Sequence, residues 1–371
     1  MKRNSLLSLL VIVLLLPVCT NATYLEEETA YYVIDLEPIV GGYSSAISIN
    51  DSGQIVGDAS VSATLFDETG QGNNINLDPF SGIDSIALSI NNKGQIVGRA
   101  MHASLDLDLQ ATVFDPTGNG NNLALGTLGG GVSTAWSIND SGQIVGGAYD
   151  SSNRHRATLF DATANGNNVD LGTLGGRKSC AYSINNKGQI VGYADNSLEN
   201  HHATLFDPTG GGNNIGLGTL AGDESLAWSI NDEGQIVGCA ETSLGHLHAT
   251  LFDPTGGGNN TDLGTLGGTE SCAHWVNNKG QIVGYAYNSS GDPRAALFDP
   301  TGNGNNIDLN SLIAPDSGWT LWYAMAINDD GWIVGGGDNP DGEFHAFLLV
   351  PEPAAIALLG LGALLLRKRR K

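Results

Sequence analysis

Histidine is the first residue type in this chain that could bind a metal or move a proton near neutral pH. Seven of the eight histidines, His102, His155, His201, His202, His246, His248 and His345, fall between the second and third of four short strand-like runs that recur along the chain. Arg154, Arg156, Arg177, Lys178 and Arg294 lie in the same stretches or beside them. Ligands held ~2.1 Å from one ion must sit within ~3–4 Å of one another. Histidines on the outer runs of different repeats do not meet that condition. Only a pair inside one loop, such as His246 with His248, could chelate. Most repeats place His or Arg just before the Ala that opens the third run, so a structural hydrogen bond is the expected role there.

A second candidate is the loop Asp-x-Thr-Gly/Ala-x-Gly-Asn-Asn, which occurs six times. In one copy Asp115, Thr117, Asn119 and Asn121 offer oxygens at alternate positions, a spacing that can wrap Ca²⁺. Each loop nevertheless holds one certain carboxylate and no bidentate Glu. Gly, Asn and Asp are also what any tight turn uses. The loops are therefore expected to be turns, with weak Ca²⁺ binding as the alternative. Motifs for zinc hydrolysis, a nucleophile elbow or a phosphate loop are missing. An enzyme built on repeats needs one asymmetric acid/base pair near the axis, and none stands out. The irregular places are Ser104 to Leu109, the insertion Ala314 to Trp319, and His274, which replaces an aromatic seen as Trp136, Tyr182 and Trp228.

These residues are positioned by a phrase, Gly-Gln-Ile-Val-Gly, that starts at Gly53, Gly94, Gly142, Gly188, Gly234 and Gly280, and again at Gly331 with Trp332 in place of Gln. The starts lie 41, 48, 46, 46, 46 and 51 residues apart. A period in the forties marks repeats that cannot bury their apolar faces alone. Each repeat carries four runs rich in β-branched or aromatic residues and bounded by Gly, Asn, Asp or Pro. Asn139-Asp140-Ser141-Gly142 and its equivalents predict a hairpin whose Gly takes positive φ. No segment has helical periodicity. Four antiparallel strands per repeat predict an all-β, seven-bladed β-propeller, with an open β-solenoid as the alternative. The seventh repeat lacks a fourth run after Ala346 to Leu349. Tyr32 to Leu36 resembles the missing strand, so both chain ends should complete one blade and leave no sheet edge open.

The two ends read differently. Residues 1–22 have the Lys2-Arg3 charge, the Leu6 to Leu16 apolar run and the small residues of a signal peptide, with lipid attachment at Cys19 as the alternative. The repeats occupy 23–349. Residues 350–371 hold Val350-Pro351-Glu352-Pro353, an apolar run from Ala354 to Leu366, and the cations Arg367, Lys368, Arg369, Arg370 and Lys371. That apolar run is short against the roughly twenty residues of a full span, and the cations would stay cytoplasmic. This tripartite tail resembles the PEP-CTERM sorting signal of bacteria. The resemblance implies a transient transmembrane segment and processing by an exosortase-type enzyme, and an ordinary tail anchor is the alternative. The recurring His-Ala-Thr-Leu-Phe and His-Ala-Phe resemble the HAF repeat of bacterial extracellular proteins, which implies export and no established activity.

Seven of the sixteen basic residues and one acid, Glu352, lie in the two ends, so their removal leaves nine against 38 acids, a net charge of about −30. Such a surface repels nucleic acid and anionic membranes. Cys180, Cys239 and Cys272 remain, an odd set scattered over three repeats, and are expected to be buried thiols. The combined expectation is a cell-envelope or extracellular protein with a binding or structural role and no enzymatic one, its partner a matrix polysaccharide or surface protein. The alternative is a secreted carbohydrate hydrolase or lyase.

Overall fold

A computed structural model describes residues 30–38, 42–78, 84–101 and 108–352. The signal segment, His102, Ser104 to Leu107, Pro353, the apolar run and the terminal cations lie outside the described residues. Among those residues, no helix is long and apolar enough to cross a membrane. The described chain forms seven four-stranded antiparallel sheets arranged as the blades of a β-propeller. In blade 4 the strands are Gly175–Ile184, Ile190–Asn196, His201–Phe206 and Ile215–Gly216, running from the axis outward. The Leu309–Leu312 3₁₀ turn is the only helix among the described residues.

Each blade repeats one set of physical instructions. The first Gly of the phrase sits in the left-handed region, as at Gly188 with φ +77°. It follows Asn185, whose carbonyl accepts from the Gly188 amide at 3.0 Å. A type I turn closed by a left-handed Gly makes a three-residue hairpin loop. The Ile and Val of the phrase point to opposite faces of the blade. Ile190 therefore packs toward blade 3 with Val145 and Leu171, while Val191 packs toward blade 5 with Leu217 and Ile236. The core is thus a set of layers between blades.

The last Gly answers to a β-bulge. The inner-strand register slips between Ala181 and Ser183, leaving Tyr182 as the extra residue, and equivalent slips occur in every blade. The slip brings the inner-strand carbonyl onto the facing Gly. A Cβ on Gly192 would overlap the Cys180 carbonyl oxygen, and the other six positions meet the same clash.

Tyr31–Leu36 pairs antiparallel with Phe344–Pro351, from Tyr31↔Pro351 to Leu36↔Ala346. The expected split blade is therefore present, and the N-terminal strand is its outermost member. The third strand of this blade runs two residues past 349, so Val350 and Pro351 of the Pro-Glu-Pro motif belong to the sheet. The seam is stitched as the junctions from blades 2/3 to 5/6 are, by a Ser hydroxyl that both donates and accepts. Ser44 Oγ donates to the Leu36 carbonyl at 3.1 Å and accepts from the Ala346 amide at 2.9 Å.

Two circular networks close around the axis on the hairpin face. The Nδ2 of each turn Asn donates to the corresponding carbonyl in the next blade, at 2.9–3.2 Å, from Asn50→Asn91 round to Asn328→Asn50. The next residues, alternately Asp and Asn from Asp51 to Asp329, each accept the backbone N–H of the preceding blade at 2.8–3.0 Å. Seven is odd, so Asp329 and Asp51 meet at the seam without an Asn between them.

Candidate functional site

The outer-strand histidines do not converge. His201 Nδ1 lies 2.6 Å from Asp195, His248 Nδ1 2.9 Å from Asp262, and His345 Nδ1 2.9 Å from Asp35. His155 Nδ1 meets the Ser179 carbonyl at 3.1 Å, and burial pushes its pKa down. His202 Nε2 meets Asn196 at 3.1 Å. At the position before the third-strand Ala, Arg156 donates to Asp170 at 3.0 Å and Arg294 to Asp292 at 3.2 Å, while the Arg294 guanidinium lies over the Trp322 ring. These are local bonds, as expected for that position. Among the described residues, no group of three or more His, Cys, Asp or Glu could hold a metal ion.

The Asp-x-Thr loops are self-satisfied turns. Asp115 Oδ1 accepts from the Thr117 amide at 3.0 Å and its hydroxyl at 2.6 Å, and Asn121 Nδ2 donates to Oδ2 at 2.9 Å. Asn119 also turns its Nδ2 inward, to the Thr117 hydroxyl at 2.8 Å. The Ca²⁺ candidates thus present amide hydrogens where a cation would need oxygens. The Thr117 hydroxyl, followed by its amide and the Asn121 amide, holds the Asp115 pKa down to about 2. Asp67, Asp161, Asp207, Asp253 and Asp299 are held at about 2 in the same way. Their folded pKa values lie below the unfolded one. The stability they contribute is therefore present above pH ~4 and is lost as pH falls toward 2.

The axis has two ends of different chemistry. On the hairpin face a cavity of ≈ 130 Å³ is lined by the inner-strand Ile and Ser residues and the Asn and Asp rings. Its Asn and Asp side chains are engaged in the circular bonds described above, and its Ser hydroxyls accept from Ile amides of the next blade. The opposite face carries the loops between second and third strands and the connections between blades. There the bulged residues of blades 3 to 6 form a wall of rings: Trp136 lies 5.3 Å from Tyr182, Tyr182 stacks 4.3 Å from Trp228, and Trp228 lies 6.4 Å from His274. Equivalent residues on successive blades come this close only on the innermost strands, so the bulge has turned them toward the axis.

Second-strand rings extend the wall. Tyr193 lies 5.7 Å from Tyr182, and Tyr285 lies 5.4 Å from His274 and 5.5 Å from Tyr323. All of these rings are partly exposed. Burial is the largest cause of the raised Tyr182, Tyr193 and Tyr285 pKa values, so these phenols stay neutral. His274 Nδ1 donates to the Ala324 carbonyl, 3.0 Å away, and burial lowers its pKa. It is thus a neutral member of the wall rather than a separate site. Cys180, Cys239 and Cys272 are free and buried nearby, as expected. Burial pushes the Cys180 and Cys272 thiols up, away from reactivity.

Blades 1 and 2 break the pattern. Their bulged residues are Ile47 and Leu88, and no ring contact reaches them. The residue after the last Gly of the phrase is Gly147, Tyr193, Cys239, Tyr285 or Gly336 in blades 3 to 7, but Asp58 in blade 1 and Arg99 in blade 2. Asp58 is 8% exposed and takes a hydrogen bond from the Tyr43 hydroxyl. Asp84 lies close enough to raise the Asp58 pKa and Arg99 close enough to lower it, both secondary to burial, which raises it. This corner is an asymmetry of charge that the sequence reading did not single out. The signal was one position of the repeat alignment, where two charged residues replace small or aromatic ones.

No family model matches this chain, and no curated protein matches it. Among solved structures it is similar to a gluconolactonase from Xanthomonas campestris, with a TM-score of 0.44 and 12% identity over 90% of this chain and 94% of that one.

Proposed function

We propose that this chain is an exported propeller that binds neutral polysaccharide at the ring-lined mouth of its axis and is sorted to the envelope or matrix by its C-terminal tail. The observation that supports it is the wall built from the partly exposed Trp136, Tyr182 and Trp228, whose rings meet edge-on and then stacked from blade to blade. Aromatic faces beside polar tips suit the C–H faces and hydroxyls of a sugar. The surface charge of about −30, once both ends are gone, selects against polyanionic glycans. The wall belongs to one side of the mouth, so a chain of sugars would lie across the axis from blade 3 toward blade 6.

The test is a glycan array with the purified protein. Neutral polysaccharides should bind and acidic ones should not. Trp228→Ala should weaken the strongest signal about tenfold, the effect of ~1.4 kcal/mol of lost stacking. Binding that survives loss of Trp136 and Trp228 together would overturn the reading.

Sorting has its own expected result. Mass spectrometry of protein shed from cells should find no residues beyond Pro353. Shed protein that retains Lys371 would show that the tail is not processed. Because Val350 and Pro351 are held in the last strand, a processing enzyme would act at the edge of a folded blade.

A further inference from the structure

The corner made by blades 1 and 2 brings three properties together. The first is charge without symmetry, since Asp58 and Arg99 stand where the other blades have Gly, Tyr or Cys. The second is an unmet donor: Arg99 Nε is buried and has no hydrogen-bond partner. A buried N–H left without an acceptor costs stability that a bound oxygen would restore. The third is strain. Ser60 and Val61 turn at φ 50° and 67°, and Asp84 sits at φ 22°. A β-branched residue in the left-handed region is a true outlier, and such conformations persist where the surroundings impose them.

Backbone bonds impose them here. The Ser60 amide donates to the Tyr43 carbonyl at 3.1 Å, and the Ser85 amide donates to the Val61 carbonyl at 3.1 Å. The strained turn thereby ties the backbone of Tyr43, and that of the residue after Asp84, to the end of the strand that carries Asp58. Tyr43 is 45% exposed and Asp84 is exposed, so the corner opens to solvent while Asp58 lies at its floor.

We infer that Tyr43, Asp58, Asp84 and Arg99 form a glycoside-hydrolysing site, in which Asp58 is the acid and Asp84 the base, acting on the neutral polysaccharide held by the ring wall. The inference rests on the carbohydrate reading above. Two carboxyls in unlike surroundings, one buried and one open to water, can divide acid and base roles. Asp58 gives its proton to the glycosidic oxygen as the bond from that oxygen to the anomeric carbon breaks, and the bonding pair stays on the oxygen. Asp84 takes a proton from the water whose oxygen bonds to the anomeric carbon. One water is consumed, two sugar ends are released, and the proton returns from Asp84 to Asp58 through solvent. Arg99 Nε would donate to a sugar oxygen. The titratable and charged groups facing Asp58 are Tyr43, Asp84 and Arg99. Burial, then the charge of Asp84, favours its protonated form, against the Tyr43 hydrogen bond and the Arg99 charge.

The experiment measures new reducing ends released by the purified full chain from soluble β-glucan, xylan, mannan and starch. Wild type should cleave at least one of them. Asp58→Asn should lose at least ~100-fold in rate and the alkaline limb of the pH profile, where the acid loses its proton, with array binding and melting temperature unchanged. Asp84→Asn should lose activity comparably and regain part of it with added azide, yielding a glycosyl azide. The exposed Asn suits that φ, so this variant guards against a folding defect at Asp58. Wild type that binds glycan but releases no reducing ends would overturn the inference and leave the binding reading standing. Cleavage untouched by Asp58→Asn and Asp84→Asn would also overturn it. Absence of both binding and cleavage would remove the two together.

Discussion

A chain lacking residues 24–37 should fail to form a stable monomer. This deletion removes the outer strand of blade 7, Tyr31–Leu36, and with it six paired positions on Phe344–Pro351. Leu36 is 1% exposed and sits in the layer between blades 7 and 1 with Ala46, Phe66, Val334 and Leu348. Tyr31, 3% exposed, packs in the layer between blades 6 and 7. Burying two such side chains stabilises by roughly 3–6 kcal/mol, a large part of the 5–15 kcal/mol that holds a typical domain together.

The lost bonds add to this. The Leu36 carbonyl accepts from Ser44 across the seam, and Asp35 takes the His345 ring, 2.9 Å away. His345 is 6% exposed, so it would be left as a buried ring without its carboxylate. Phe344–Pro351 would then present an unpaired apolar edge, the kind of surface that pairs with another chain. Light scattering should show oligomers, and thermal unfolding should begin well below that of the intact protein. A monomeric deletion variant with an unchanged melting temperature would mean that ring closure does not depend on this strand.

Gly192→Ala should be among the most damaging single substitutions in the chain, costing about 3 kcal/mol or more. Gly192 lies in the second strand of blade 4, without positive φ, so conformational freedom is not the reason for glycine there. The added methyl would overlap the Cys180 carbonyl oxygen and approach the Ala181 Cα to 2.9 Å. Both obstacles are backbone, and no rotamer change can relieve them. The strand would have to move away from the bulge that aims Tyr182, so the ring wall should loosen as well. Gly212→Ala is the matched control. Nothing lies within 4 Å of a Cβ there, but φ is +80°, so the cost should be near the ~1 kcal/mol of an unfavourable backbone conformation. Urea unfolding of the two variants should show a much larger midpoint drop for Gly192→Ala at similar slope. Equal drops would mean that the bulge can relax and that the clash is not the reason for the repeated glycine.

Blade number, strand count and the split seventh blade could all be read from residues alone. The reason is that local rules were written seven times. A left-handed Gly after Asn-x-x, paired Ile-Val of opposite facing, and runs bounded by Gly, Asn, Asp or Pro each act over a few residues. Repetition turned weak local preferences into a strong pattern. The turn role of the Asp115 loop was legible because its partners lie within six residues. The bonding role of the residue before the third-strand Ala was legible because it recurs from repeat to repeat, although its partner lies 14 residues on at Arg156 and 310 away at His345.

What escaped was whatever depended on where the bulge points a side chain and on which blades adjoin. Tyr182 and Trp228 are 46 residues apart yet stack at 4.3 Å. Period-two alternation does not show this, because a bulge breaks the alternation at that very residue. Asn328 and Asn50 complete the axial ring across 278 residues; the sequence implied closure, but only the packed ring shows which atoms carry it. Asp58 and Arg99 occupy one repeat position on consecutive blades and read as drift when taken singly. Packing blade 1 against blade 2 places Asp58 near the floor of a strained turn, within reach of Tyr43 and under the influence of Asp84 and Arg99. Burial and neighbouring charge, which decide what an ionisable group can do, are properties of that packing.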